Sequence, residues 1–243
     1  MSETIRPVVL VHGAWHGAWC WSALQAELDR HGVPSFALDL PGHGTSAEPL
    51  GDMHGDAAAV ASFIDRLGTE VVLVGHSYGG AVITEAALHT AHVGHLVYLT
   101  AFVLDEGESM VSVAVLADLP PEPQDLLGNA RSRGEHGTLV LDPQAAIPAL
   151  YGHCAPAVQQ AAAARLCPQN IASFVQPATG APWRTTPSTF VRCTDDRAIA
   201  INHQDAMAAR CASVETLPTD HSPFASMPAE TAALLVRLAR SDY

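Results

Sequence analysis

A serine set between glycines at the end of an apolar run is the residue in this chain best placed to do chemistry. The run Val71-Val72-Leu73-Val74 has the branched apolar character of a strand buried on both faces, and the Ala-rich stretch from Ala81 to Leu88 reads as a helix. Between them lies Gly75-His76-Ser77-Tyr78-Gly79-Gly80, which contains the G-x-S-x-G spacing. A serine in so tight a strand-to-helix turn takes a strained backbone conformation, tolerable where the residues two before and two after it carry no Cβ. The turn exposes the Ser77 hydroxyl and sets the N–H of Tyr78 at a helix start, where a developing anion is stabilised.

A hydroxyl is a weak nucleophile near neutrality and needs a base within hydrogen-bond reach. Of thirteen histidines, His221 follows the last expected strand, Ser213 to Leu217, and precedes the final helix, in Asp220-His221-Ser222-Pro223-Phe224. The imidazole in turn needs a carboxylate to fix its tautomer and stabilise its charged form. Asp195 and Asp196 both follow the strand that ends at Cys193. Asp196 is preferred, because Arg197-Ala198-Ile199 then returns the chain to the core, with Asp195 as the competitor. A second oxyanion donor is expected in the loop after the first strand: Ala14 N–H, with Gly13 beside it leaving room for substrate. Gly13 and Trp15 are candidate pocket residues, and Trp19 and Trp21 are expected in the core. His76 reads as a packing residue beside the turn.

The elements that must position these groups alternate. Strands are expected at Pro7 to Val11, Ser35 to Asp39, Val71 to Val74, His95 to Thr100, Ser188 to Cys193 and Ser213 to Leu217. Helices are expected at Trp21 to His31, Asp56 to Leu67, Ala81 to Leu88, Gln204 to Arg210 and Pro228 to Ala239. Such alternation gives a mostly parallel sheet covered by helices on both faces, with ligands bound beyond the carboxyl ends of the strands. The rhythm breaks from Leu104 to Thr186, where Pro120, Pro121 and Pro123 cluster and only short helices near 145–150 and 156–166 are visible. Residues 1–103 and 187–243 therefore read as one α/β core, and 104–186 as an inserted lid.

Composition narrows the classes further. A chain of 243 residues, 48% hydrophobic and 15% charged, suits a single globular α/β domain. Its formal net charge of -13 argues against nucleic acid and anionic membrane surfaces. All 12 cationic residues are arginine, so Schiff-base, Ser-Lys and P-loop lysine chemistry are excluded. The first residues, Met1 to Pro7, have neither a signal-peptide nor a membrane-span pattern, and a cytoplasmic location follows by default. Five scattered cysteines read as reduced thiols, and the loop histidines His12, His16, His43 and His54 lack acidic or cysteine partners at ligand spacing, so no metal is expected.

The motifs His12-Gly13-Ala14-Trp15-His16-Gly17-Ala18-Trp19-Cys20-Trp21, Asp39-Leu40-Pro41-Gly42-His43-Gly44 and Gly75 to Gly80 resemble the α/β-hydrolase branch of plant methylesterases, hydroxynitrile lyases and related bacterial esterases. The order nucleophile, acid, histidine is also the order of that fold. The resemblance implies an α/β-hydrolase fold, a Ser77-Asp196-His221 triad, backbone donors at Ala14 and Tyr78, a small helical cap over a mostly apolar pocket, and no cofactor. The lyases of this branch carry a threonine at the place of Gly13 and a lysine after the catalytic histidine, where this chain has Ser222. The expected activity is thus hydrolysis of a small or medium, largely apolar ester. The alternatives are a C–C bond hydrolase, lyase or cyclase on the same scaffold, or a small-molecule receptor. A homodimer is compatible with everything above.

Overall fold

The computed structural model describes residues 5–115 and 126–240. The proline cluster Pro120, Pro121 and Pro123 lies outside the described residues, as do the first four residues. Strand β1 (Val8–Val11) leads through a loop and a short 3-10 turn into helix α1 (Ser22–Arg30). Then come β2 (Ser35–Leu38), α2 (Met53–Leu67), β3 (Val71–Ser77), α3 (Tyr78–Ala86) and β4 (Val93–Ala101). Residues 102–187 carry α4 (Met110–Val115), α5 (Leu126–Ala130), β5 (Arg131–Arg133), β6 (Thr138–Leu141), α6 (Pro143–Leu150), α7 (Pro156–Ala163), β7 (Gln169–Asn170) and α8 (Ala172–Val175). The chain then continues through β8 (Ser188–Cys193), α9 (Ile201–Ala208), β9 (Ser213–Leu217), α10 (Pro223–Ser226) and α11 (Pro228–Arg240).

Six of the strands form one parallel sheet in the order β2-β1-β3-β4-β8-β9. Val8 to Val11 and Val71 to Val74 are completely buried, as an unbroken apolar run must be when helices cover both faces of a sheet. Helix α1 packs with α11 and α2 with α3, and Leu24, Leu28, Val60, Ile64, Val82, Ile83 and Leu235 on these helices are buried. Because every strand of this sheet is parallel, the ends at Val11, Ser77, Ala101, Cys193 and Leu217 lie along one edge.

The starts of α2, α3 and α9 each lie three residues ahead of the expected ones, α9 at Ile201 and not Gln204. Helix α2 begins at Met53, three residues ahead of the apolar periodicity, because the Asp52 carboxylate accepts the Gly55 N–H at 2.9 Å and so satisfies one of the unpaired first-turn donors. Asp56 thereby falls inside the first turn and is buried. Helix α3 begins at Tyr78, directly after the serine. Between β4 and β8 there is also a three-stranded antiparallel sheet, β5-β6-β7. Sequence did not signal it: β5 is Arg-Ser-Arg and β7 only two residues long, too short for an alternating pattern. Among the described residues no helix is long and apolar enough to cross a membrane.

Candidate active site

Strand β3 runs straight into Ser77, whose backbone stands at φ 53°, ψ -120°, a conformation that L-residues hold only under constraint. The constraint is visible in the flanking glycines. A Cβ on Gly75 would lie 2.4 Å from the Gly79 carbonyl oxygen, and one on Gly79 would lie 2.5 Å from the Val11 carbonyl oxygen. The chain thus folds onto itself across the serine and onto the end of β1. Tyr78 is the first residue of α3, where a backbone N–H has no partner within the helix.

The loop after β1 lies against this turn. A Cβ on Gly13 would come within 3.0 Å of the Ser77 Cβ and 2.9 Å of His76 Nδ1. This contact brings the Ala14 segment beside the serine and leaves no room for a side chain at Gly13. Any side chain there would press on the His76 ring and the Ser77 Cβ.

From the other side of the sheet edge, His221 Nδ1–H donates to Asp196 Oδ2 at 2.7 Å, with both side chains buried. Asp196 Oδ2 also accepts the Thr100 hydroxyl at 2.5 Å, and its Oδ1 accepts the backbone N–H groups of Ala198 and Ile199 at 2.7 and 2.9 Å. Its oxygens therefore have donors of their own, and the ring is oriented with Nδ1 toward the carboxylate and Nε2 away from it. Asp195, the competing acid, is exposed, and its N–H is bonded to the Thr219 carbonyl. The structure thus brings Asp196 rather than Asp195 to His221. His76 fixes the histidine loop: its Nε2–H donates to the His221 carbonyl at 2.8 Å, and the two rings lie 4.6 Å apart.

The other buried histidines are tied to the same loops. His12 Nδ1–H donates to the Gly13 carbonyl while Nε2 accepts the Leu40 N–H, and burial pushes its pKa down to about 3. His16 Nδ1–H donates to the Ala14 carbonyl at 2.7 Å and Nε2 accepts the Tyr151 hydroxyl at 2.8 Å. Burial likewise holds it down, to about 4. Among the described residues no group of three or more His, Cys, Asp or Glu side chains is spaced to hold a metal ion. Asp39 closes the loop from below, accepting the N–H groups of Ala18 and Thr45 and the Thr45 hydroxyl.

Trp21 is fully buried, as expected, but Trp19 is not a core residue: it is half-buried between the His16 ring, 5.5 Å away, and the Arg165 guanidinium. Trp15 is 4% exposed and packs in the buried core cluster. Three contributors escaped the sequence reading. Thr100 is the extra residue of a bulge between β3 and β4, with φ 37°, and a threonine in a strand carries no mark of that geometry. Asp56 accepts the Tyr78 hydroxyl at 2.6 Å, and Gln169 meets His43 Nε2 at 2.9 Å. Helical spacing alone makes the first a surface residue and says nothing of the second.

Comparison with known proteins places this geometry in a family. Residues 8–234 match the family model described as alpha/beta hydrolase family. The chain is 28% identical over 256 residues to methylesterase 7 of Arabidopsis thaliana, covering 96% of each chain. It is 41% identical over 123 residues to a carbendazim hydrolyzing esterase of Nocardioides sp., covering 47% of this chain and 49% of that one. Among solved structures it is similar to a pyrethroid hydrolase from Sphingobium faniae JZ-2, with TM-score 0.83, 25% identity, and coverage of 97% of this chain and 98% of that one. The chain belongs to the alpha/beta hydrolase family.

Proposed function

We propose that the protein is a carboxylic ester hydrolase in which Ser77 is the nucleophile, His221 the base, Asp196 the acid, and the N–H groups of Ala14 and Tyr78 the oxyanion hole. The observation that carries this reading is the serine held at φ 53°, ψ -120° at the start of α3, with the hydrogen-bonded His221–Asp196 pair on the same sheet edge. His221 Nε2 takes the Ser77 proton as the oxygen attacks the ester carbonyl, and the charge on the tetrahedral oxygen falls to the two backbone donors. The same imidazole then protonates the departing alcohol, and water hydrolyses the acyl-enzyme by the reverse sequence. Asp196 stays ionised throughout and stabilises the imidazolium.

The substrate class is a small or medium, largely apolar ester, with residues 104–186 as the cap that shapes the pocket and residues 1–103 and 187–243 as the catalytic core. Ser222 stands after the histidine where the lyase relatives are expected to carry a lysine, so no cation is available there for a departing cyanide, and hydrolysis is favoured. Five free thiols fit a reducing, cytoplasmic setting. The test is turnover of short aryl esters by the wild type and Ser77→Ala, together with labelling by a fluorophosphonate. Labelling at Ser77 and loss of turnover in the variant are expected. Equal turnover by both proteins would remove Ser77 as nucleophile, and turnover of a non-ester without an acyl-enzyme would favour a C–C hydrolase or cyclase.

A further inference from the structure

Trp15 follows the proposed donor Ala14 and holds φ 65°, a left-handed conformation at a bulky residue. Such a conformation costs free energy and persists only where its surroundings over-determine it. The His16 N–H closes the turn on the Gly13 carbonyl, and the partners of Trp15 itself come from the segment between β4 and β8. The Trp15 carbonyl accepts the Cys167 N–H at 2.9 Å. The indole N–H donates to the Leu139 carbonyl at 3.0 Å, and the Trp15 N–H points at Gln169 Oε1 at 3.4 Å. The ring packs on Phe174 of α8, with centroids 5.6 Å apart.

Phe174 touches the other half of the hole as well. Its ring lies 6.2 Å from that of Tyr78, whose hydroxyl is held by buried Asp56 at 2.6 Å. Gln169, at the foot of α8, donates to the Ser173 hydroxyl at 3.0 Å and meets His43 Nε2. One aromatic side chain thus packs on the ring of Trp15, the residue that follows the donor Ala14, and on the ring of Tyr78, the second donor residue. A donor displaced by a fraction of an ångström no longer meets the oxyanion, whereas ground-state binding is little changed.

We propose that Trp15 and Phe174 are positioning residues through which the inserted segment braces both backbone donors of the oxyanion hole. The proposal rests on the ester-hydrolase reading above. The segment is then part of the catalytic apparatus and not only a wall of the pocket.

The test compares full-length wild type with Phe174→Ala, Phe174→Leu and Trp15→Phe on an aryl acetate, whose small acyl group limits direct contact with the segment. It adds inhibition by a trifluoromethyl ketone, whose adduct oxygen occupies the oxyanion hole. Expected for Phe174→Ala are a fall in kcat of about tenfold or more, a KM within about twofold, and an equal loss of ketone affinity. Trp15→Phe keeps an aromatic ring, though a smaller one, and loses the indole N–H, and a several-fold fall of the same kind is expected. Should Phe174→Ala not fold, Phe174→Leu, which fills most of the space without the flat ring, carries the comparison with a smaller loss. A rise in KM at constant kcat, or unchanged ketone affinity in folded variants, overturns the proposal and leaves the reading of function standing. Wild-type turnover that does not depend on Ser77 overturns both.

Discussion

Asp196 receives hydrogen bonds from His221, Thr100, Ala198 and Ile199, so its role is fixed by donors that Asp195, one residue away and exposed, does not share. Asp196→Asn is expected to present an amide where the imidazole needs an acceptor, reversing the tautomer and lowering kcat by on the order of 10⁴-fold. Asp195→Asn is expected to stay within about twofold, and steady-state kinetics on one aryl ester separates the two. Thr100→Val removes one charge-assisted hydrogen bond and is expected to lower kcat about tenfold. Asp56 behaves differently. Burial raises its carboxyl to about 7, with the Tyr78 hydroxyl opposing and nearby Asp52 reinforcing the rise. The folded protein then holds a proton that the unfolded chain releases near 3.8, so stability from this group is fully present below that value and is lost as pH rises to about 7. Asp56→Asn is expected to gain stability relative to wild type across that window, by up to about 1.4 kcal/mol per pH unit. Urea unfolding of both proteins at pH 5 and pH 8 measures the difference, and equal curves at both would show that Asp56 does not titrate there.

At the scale of elements, the site is a set of strand ends with loops pressed together. The turn from β3 to α3 is the most demanding, because Gly75 and Gly79 abut each other and the end of β1. Gly75→Ala puts a methyl against backbone, which cannot rotate away as a side chain would. The serine is then expected to leave its geometry, with a loss on the order of 100-fold in the rate of fluorophosphonate labelling. An undiminished rate would show that β3 can shift without cost. This turn was legible in the sequence because it is local: an apolar run, a glycine at each required place, then helix formers. The bulge at Thr100 and the sheet β5-β6-β7 were not: the bulge and the β6–β7 pairing join residues more than twenty apart, and β5 is too short to show an alternating pattern beside β6.

Across the whole molecule, several histidines are buried and kept neutral. Burial drives His12 to about 3 and His16 and His95 to about 4, and takes His76 well below its ordinary 6.5. The unfolded chain binds these protons at 6.5 and the folded one does not, so the stability these groups give is present above that value and lost as pH falls. Each contributes about 1.4 kcal/mol per pH unit in that range, and together they outweigh the opposite trend of Asp56. The urea midpoint is expected to fall steeply from pH 6.5 to pH 4.5, and more steeply in Asp56→Asn. A midpoint that is flat over this range would contradict the burial of these rings as neutral groups.

What the sequence determined by itself was the alternating α/β architecture, the serine turn, and the histidine after the last strand. Each is written in short-range patterns: apolar runs set by burial on both faces, glycines set by steric contact within a few residues, and chain order. The choice of Asp196 over Asp195, the support from Thr100, and the burial of Asp56 under Tyr78 were decided only in three dimensions. So was the placing of Trp15 against Leu139, Cys167 and Phe174. These depend on which way a side chain points once β8, β9 and the segment after β4 have packed: spacing made Asp196 a preference, and only the hydrogen bonds to His221 and Thr100 made it the choice.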